Sequence, residues 1–178
     1  MTFTSQQAQE LDSRLLAIEE RFQQQDFKRA LEDLKRLEEG GYSPTGVNRG
    51  LYLLLSARRA FADSEYQKTI DLCQEAFDEI GTTSLNYRIG RLQYLMFRAH
   101  VTLGDFRAAE QAVRDSLASY RRVRDTDGIV NAYNGLARIY YLKSDYPMAA
   151  EYVNEAIQFA GENPIKKAQL LGNLGRIY

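Results

Sequence analysis

Apolar residues recur at steps of three and four along nearly the whole chain, as in Tyr133-x-x-Leu136-Ala137-x-x-Tyr140 and Ala149-x-x-x-Val153-x-x-Ala156. That spacing places them on one face of an α-helix. The periodic stretches are interrupted by Gly- and Pro-bearing segments at Gly40-Gly41-Tyr42-Ser43-Pro44, Gly81-Thr82-Thr83-Ser84, Asp125-Thr126-Asp127-Gly128 and Gly161-Glu162-Asn163-Pro164, which read as helix stops and loops. A shorter break falls inside each unit, at Gln25-Asp26, Ser64-Glu65, Gly104-Asp105 and Ser144-Asp145. Ser and Asp there suit helix N-caps, Ser64-x-x-Gln67 has the form of a capping box, and Pro147 fits a first helical turn. Each unit is therefore predicted as helix, tight turn, helix, longer loop. No alternating apolar and polar run with hairpin turns competes, so the predicted fold is all-α.

The units keep a fixed period. An aromatic residue stands at Phe27, Tyr66, Phe106 and Tyr146, in steps of 39, 40 and 40, and an acidic residue precedes each one: Asp26, Glu65, Asp105 and Asp145. A constant period of this size marks stacked helical repeats, whose extended surfaces serve recognition more often than chemistry. If the recurrent aromatic fills the core, Tyr146→Ala should cost about 3–5 kcal/mol.

The fourth unit, with Tyr133, Leu136, Ala137 and Tyr140 on its first helix and Tyr146, Ala149, Val153 and Ala156 around its second, resembles the tetratricopeptide repeat. Small Ala137, Ala149 and Ala156 would let two helices approach, and the large residues would fill the space between them. The third unit (Met96, Phe97, His100, Phe106, Ala109, Val113) has bulky Phe97 where a small residue is usual. The second (Ala57, Ala60, Tyr66, Thr69, Cys73, Ala76) and first (Ala17, Ile18, Phe27, Ala30, Leu34) match less fully. Leu171-x-x-Leu174-Gly175-x-x-Tyr178 looks like the first helix of a fifth unit. The resemblance runs from about Leu11 to Tyr178 and implies a right-handed α-solenoid, with repeats near 11–40, 50–80, 90–124, 130–160 and a partial one at 168–178. A period several residues longer than the usual repeat of about 34 is similar to that of kinesin light chains, spindle-orientation adaptors and bacterial regulator sensor regions. The extra length is expected to extend second helices, as through Ser119–Arg124. On this reading the chain is the N-terminal part of a longer protein. Leu170, Leu171, Leu174, Ile177 and Tyr178 would then lack cover and could drive self-association through the last helix.

Composition narrows the function classes. A formal net charge of −1 disfavours nucleic acid and anionic membranes as partners of the whole chain. The longest apolar run, Leu51 to Leu55, is far too short to span a bilayer, and residues 1–10 carry no secretory leader pattern. A single cysteine, Cys73, excludes an internal disulfide and suits a reducing, cytoplasmic setting, where a buried inert thiol is expected. The lone His100 has no Cys or His partner to form a metal site. No phosphate-binding glycine loop, metal-ligand spacing or nucleophile motif is present, so no catalytic residue, metal or cofactor is expected. Glu19-Glu20 and Glu38-Glu39 read as solvated, and Arg121, Arg122 and Arg124 read as favourable charges at a helix C-terminus.

A second periodicity goes beyond packing. Arg58, Arg98, Arg138 and Arg176 hold equivalent places on the first helices of units two to five, with Glu19 at that place in the first. Leu54 and Phe61, Tyr94 and Val101, and Asn134 and Tyr141 lie one turn away, and Asn131 adds a polar position. In proteins of the resembled family this place faces the concave groove. The resemblance therefore implies a groove of Arg58, Arg98, Arg138, Arg176, Tyr94, Asn131, Asn134 and Tyr141 that binds a protein or peptide bearing acidic groups. An outer solvated stripe, or arginines bridging to acidic residues of adjacent units, would give the same periodicity. The carboxylate clamp of chaperone adaptors is absent, since its places hold Leu15, Glu19, Leu55 and Leu95, with only Arg91 suitable. The function expected is a non-enzymatic interaction scaffold, as in the regulatory part of a bacterial transcription regulator. A ligand or signalling-peptide sensor is the alternative, and nucleic-acid binding is the least favoured.

Overall fold

The computed structural model describes residues 5–42, 44, 47–80, 87–161 and 163–177. The loop positions Ser43, Gly81, Thr82, Thr83, Ser84 and Glu162, and Tyr178 of the fifth unit, lie outside the described residues. Among those described there are nine α-helices and no strand: α1 Ser5–Gln23, α2 Phe27–Glu39, α3 Val47–Ala62, α4 Tyr66–Ile80, α5 Tyr87–Leu103, α6 Phe106–Val123, α7 Thr126–Leu142, α8 Tyr146–Phe159 and α9 Pro164–Ile177. The all-α helical repeat is therefore observed, and α6 runs through Ser119 to Val123 as its length required. The chain divides into two compact units, residues 1–81 and 82–178.

The tight turns follow one rule that the sequence reading assigned to the wrong residue. Gln25, Ser64, Gly104 and Ser144 all adopt positive φ, at 64°, 64°, 81° and 61°. Ser64 and Ser144 are thus the left-handed residues that end a helix, not caps that begin one, and the Ser64 capping box does not form. Only Gly104 takes this conformation without a Cβ penalty, which is about 1–2 kcal/mol for other residues. Capping falls to the acidic residue that follows. Asp105 accepts from the Ala108 amide at 3.0 Å and Asp145 from that of Met148 at 3.2 Å, while Asp26 makes no such bond. Pro147 sits in the first turn of α8, where no N–H is needed.

The recurrent aromatic comes next, and it is not core. Phe27 is 52% and Tyr146 47% exposed. The reason is its place at a helix start, where it caps the turn by stacking on the residue five positions earlier. The pairs are Phe22–Phe27 (6.1 Å between centroids), Phe61–Tyr66 (5.4 Å) and Tyr141–Tyr146 (5.7 Å). In three of the four units the recurrent aromatic therefore records a turn device, whereas Phe106 has Val101 in the place of the partner ring.

In residues 1–81, α1 packs on α2, α3 on α4, and α3 also touches α1 and α2. The core there includes Leu15, Ile18, Phe22, Leu34, Leu51 and Leu55. Ala17 is exposed and Ile18 buried, so the small residue of the first unit does not serve close packing. Two acidic residues expected in solvent are held instead. Glu19 is 5% exposed, and Glu38 pairs with Arg59 while accepting from the Ser56 hydroxyl at 3.2 Å, because its face of α2 meets α3. Glu20 and Glu39 are exposed. Tyr42 closes the loop after α2 by donating to Asp12 at 2.6 Å.

In residues 82–178, the hairpins α5–α6 and α7–α8 pack together, α7 touches α5 and α6, and α9 lies on α8. Phe97, Val113, Tyr133, Leu136, Ile139 and Val153 belong to one core. Bulky Phe97 is accommodated by a missing side chain: a Cβ on Gly135 would lie 2.9 Å from the Phe97 ring and 2.9 Å from Val113. Leu170, expected to lack cover, is buried against this core at 3% exposure, and Leu174 and Ile177 are partly covered. Leu171, the next residue along α9, is 55% exposed. Fully burying one such side chain contributes roughly 1.5–3 kcal/mol, which helps hold a helix as short as α9 against its neighbours.

Candidate functional site

A cleft of about 480 Å³ opens on residues 82–178, lined by Asn134, Ala137, Arg138, Tyr141, Leu142, Val153, Asn173, Arg176 and Ile177. The spacing of Asn134, Arg138 and Tyr141 on α7 places all three on one helical face. Asn173 and Arg176 do the same on α9, and Val153 of α8, fully buried, contributes to the apolar floor. Four of the eight residues read from the sequence thus meet in one place. Arg138 and Arg176 are exposed and Asn134 is half-buried. Among the described residues, no acidic side chain lines the cleft.

Its polar groups are joined. The Asn173 amide nitrogen donates to Asn134 Oδ1 at 2.8 Å, and an Arg176 guanidinium nitrogen donates to Asn173 Oδ1. Tyr141 stacks edge-on against Tyr146 at the rim. Tyr94 lies outside the lining but is coupled to the arginines. Burial raises its hydroxyl above the ordinary tyrosine value, and the Arg98 and Arg138 guanidiniums pull it partly back. Its ring rests on Phe97 at 5.3 Å. Arg98 is exposed on α5, and Asn131 is exposed on α7 outside the cleft.

Arg58 belongs to the other compact unit. Its guanidinium lies 4.9 Å over the Phe22 ring, half-buried, so packing across α1 and α3 accounts for at least one contact of this arginine. Asn173 was missed by the sequence reading. Its signal was there: it stands 39 residues after Asn134, one repeat period on.

The remaining candidates resolve into structural roles. Cys73 is fully buried, and burial pushes its thiol up to about 12 against a smaller opposing pull from Arg58. The His100 Nδ1 is 3.9 Å from an Asp105 carboxylate oxygen, beyond hydrogen-bond reach. No group of three potential metal ligands occurs among the described residues. Arg121 bonds the Tyr133 hydroxyl and stacks 5.5 Å over that ring, while Arg124 is the left-handed C-cap of α6 at φ 56°. The cluster thus does more than complement a helix dipole. Away from the cleft, Glu110 accepts from Lys143, Arg114 and Tyr140, and Arg114 also reaches the Tyr152 hydroxyl at 3.3 Å. Burial alone would raise the Glu110 carboxyl, but these donors outweigh it and bring it down to about 2.

Paired helices repeating at about forty residues, with first helices carrying the cleft, define a helical-hairpin repeat fold. Residues 95–162 match the family model of the tetratricopeptide repeat. A kinesin light chain repeat protein of Podosopora anserina, with nearly identical TPR-like repeats, superposes with a TM-score of 0.68 at 16% identity, covering 96% of this chain and 86% of that one. BtubC (BKLC) of P. vanneervenii gives 0.68 at 19% identity over 90% of this chain and 68% of that one. The MamA protein gives 0.59 at 18% identity, covering 95% and 81% respectively. At these identities the likeness is one of fold. No curated protein matches the chain. No described helix is long and apolar enough to cross a membrane.

Proposed function

We propose that this chain is a protein-interaction module whose cleft on residues 82–178 holds an acidic segment of a partner protein, in the cytoplasm and without chemistry of its own. The observation that carries the reading is the lining: Arg138 and Arg176 share an apolar floor, with no acidic side chain among the described lining residues. Arginines that only bridged adjacent repeats would bring carboxylates with them. Among the described residues, no carboxylate pairs with Arg138. Arg98, beside Tyr94, extends the positive stripe along α5. Guanidiniums on an apolar surface fix register and partner choice, while the apolar contacts supply affinity. A regulatory role, as in the sensor part of a transcription regulator, fits such a module.

A displayed random-peptide library tests this. The wild-type chain should enrich peptides rich in Asp and Glu. Arg98→Glu with Arg138→Glu should lose that enrichment while keeping the wild-type circular dichroism. Enrichment of the same peptides by the double variant would refute the reading.

A further inference from the structure

The hydrogen-bond polarity inside the cleft is set from one end. Arg176 carries only donors, so the Asn173 atom it bonds must be the carbonyl oxygen. The Asn173 amide nitrogen is then the atom turned to Asn134, at 2.8 Å, and Asn134 must present its own oxygen there. A guanidinium thus dictates the orientation of two amides in series. The Asn134 amide nitrogen is left over, and it enters no hydrogen bond among the described residues. One turn further along α7 stands Arg138, which also carries only donors. Asn134, Arg138 and Arg176 line the same space.

We infer that the Arg176–Asn173–Asn134 relay makes the cleft a donor-lined subsite for a single side-chain carboxylate of the bound segment, with Asn173 as the residue that positions it. This rests on the proposed binding role and specifies its ligand chemistry. A carboxylate offers two acceptor oxygens in one plane, which a guanidinium fork and an amide N–H can share, and it has no donor to clash with them. A glutamine of the same shape would turn one N–H toward these donors. The floor of Ala137, Leu142, Val153 and Ile177 favours the carboxylate over a phosphate dianion, because removing water from the more highly charged group costs more. The fixed amides also make the geometry ready before the ligand arrives, so no reorientation is needed on binding.

The test uses small probes on the intact chain. Capped glutamate, capped glutamine and inorganic phosphate are titrated in turn, with side-chain amide and guanidinium resonances followed by NMR. Capped glutamate should shift Asn134, Arg138 and Arg176 saturably, and capped glutamine should not. Phosphate should bind more weakly than glutamate. Asn173→Asp reverses the relay and should weaken glutamate about tenfold or more, the scale of one lost hydrogen bond to a charged group. Asn173→Ala, which adds no charge, should weaken it in the same direction with unchanged helicity. Equal shifts from glutamine, tighter binding of phosphate, or undiminished glutamate binding by both Asn173 variants would overturn the inference. Peptide enrichment that needs Arg98 and Arg138 while glutamate leaves Asn134 unmoved would sink this subsite alone. Peptide selection indifferent to those arginines would sink the binding role itself.

Discussion

Gly128→Ala isolates the close approach that joins the repeats of residues 82–178. Tyr120, at the end of α6, is 4% exposed. A Cβ on Gly128 of α7 would lie 2.3, 2.4 and 2.5 Å from three carbons of that ring. Ordinary contact begins near 3.4 Å, so the overlap is roughly 1 Å. The ring cannot simply retreat, because on α5 the place of a Cβ on Gly90 is only 2.8 Å from two of its carbons. Two terms oppose each other. Alanine should gain about 1 kcal/mol over glycine in a helix. Forcing a methyl into a filled core costs about 1–3 kcal/mol, occasionally more. The clash is severe and confined on both sides, so a net loss of about 1–2 kcal/mol is expected. Gly172→Ala in α9 is the control, since nothing lies within 4 Å of its Cβ. It should stabilise by about 0.5–1 kcal/mol. Urea denaturation followed by circular dichroism reads both, as midpoint shifts of opposite sign at constant slope. Pairing Gly128→Ala with Tyr120→Leu should recover part of the loss, a coupling of about 0.5 kcal/mol or more. A Gly128→Ala chain as stable as the wild type would show that Tyr120 does not occupy this space.

Tyr146→Ala should cost only about 0.5–1.5 kcal/mol, the worth of an exposed edge-on stack, whereas Phe97→Ala, buried beneath Gly135, should cost about 3–5 kcal/mol; denaturation midpoints of the two separate turn from core. Glu110 titrates well below its unfolded value, so the stability it contributes is fully present above the ordinary carboxylate range near 4.5 and is lost as pH falls toward about 2. Glu110→Gln should therefore unfold with a smaller dependence on pH across that window, measured by denaturation at each pH, and an unchanged acid limb would remove the network from the account.

The recurring aromatic shows how far a pattern can be read. Its period announced stacked helical hairpins, and the hairpins are there, because helix-forming periodicity and turn chemistry act between residues close in the chain. Its burial could not be read the same way. The same spacing serves a core residue and a residue that closes a turn, and only the five-residue stack onto Phe22, Phe61 or Tyr141 separates them. Ser64 erred for a related reason: serine suits both a cap and a left-handed turn, and the chain path decided between them.

The arginine series followed the same division. Local periodicity put Arg58, Arg98, Arg138 and Arg176 in equivalent places on first helices, and it made the chain an all-α repeat, since those properties depend on neighbours within one or two turns. Which arginines meet depended on packing between helices far apart in sequence. Arg138 and Arg176 share a cleft because α7 and α9 approach it, while Arg58 rests on a phenylalanine ring. Asn173 gained its role only through an atom of Asn134 supplied by another helix. Hydrogen-bond polarity belongs to such pairs and not to any single residue, which is why tertiary contact, and not spacing, decided the chemistry of the cleft.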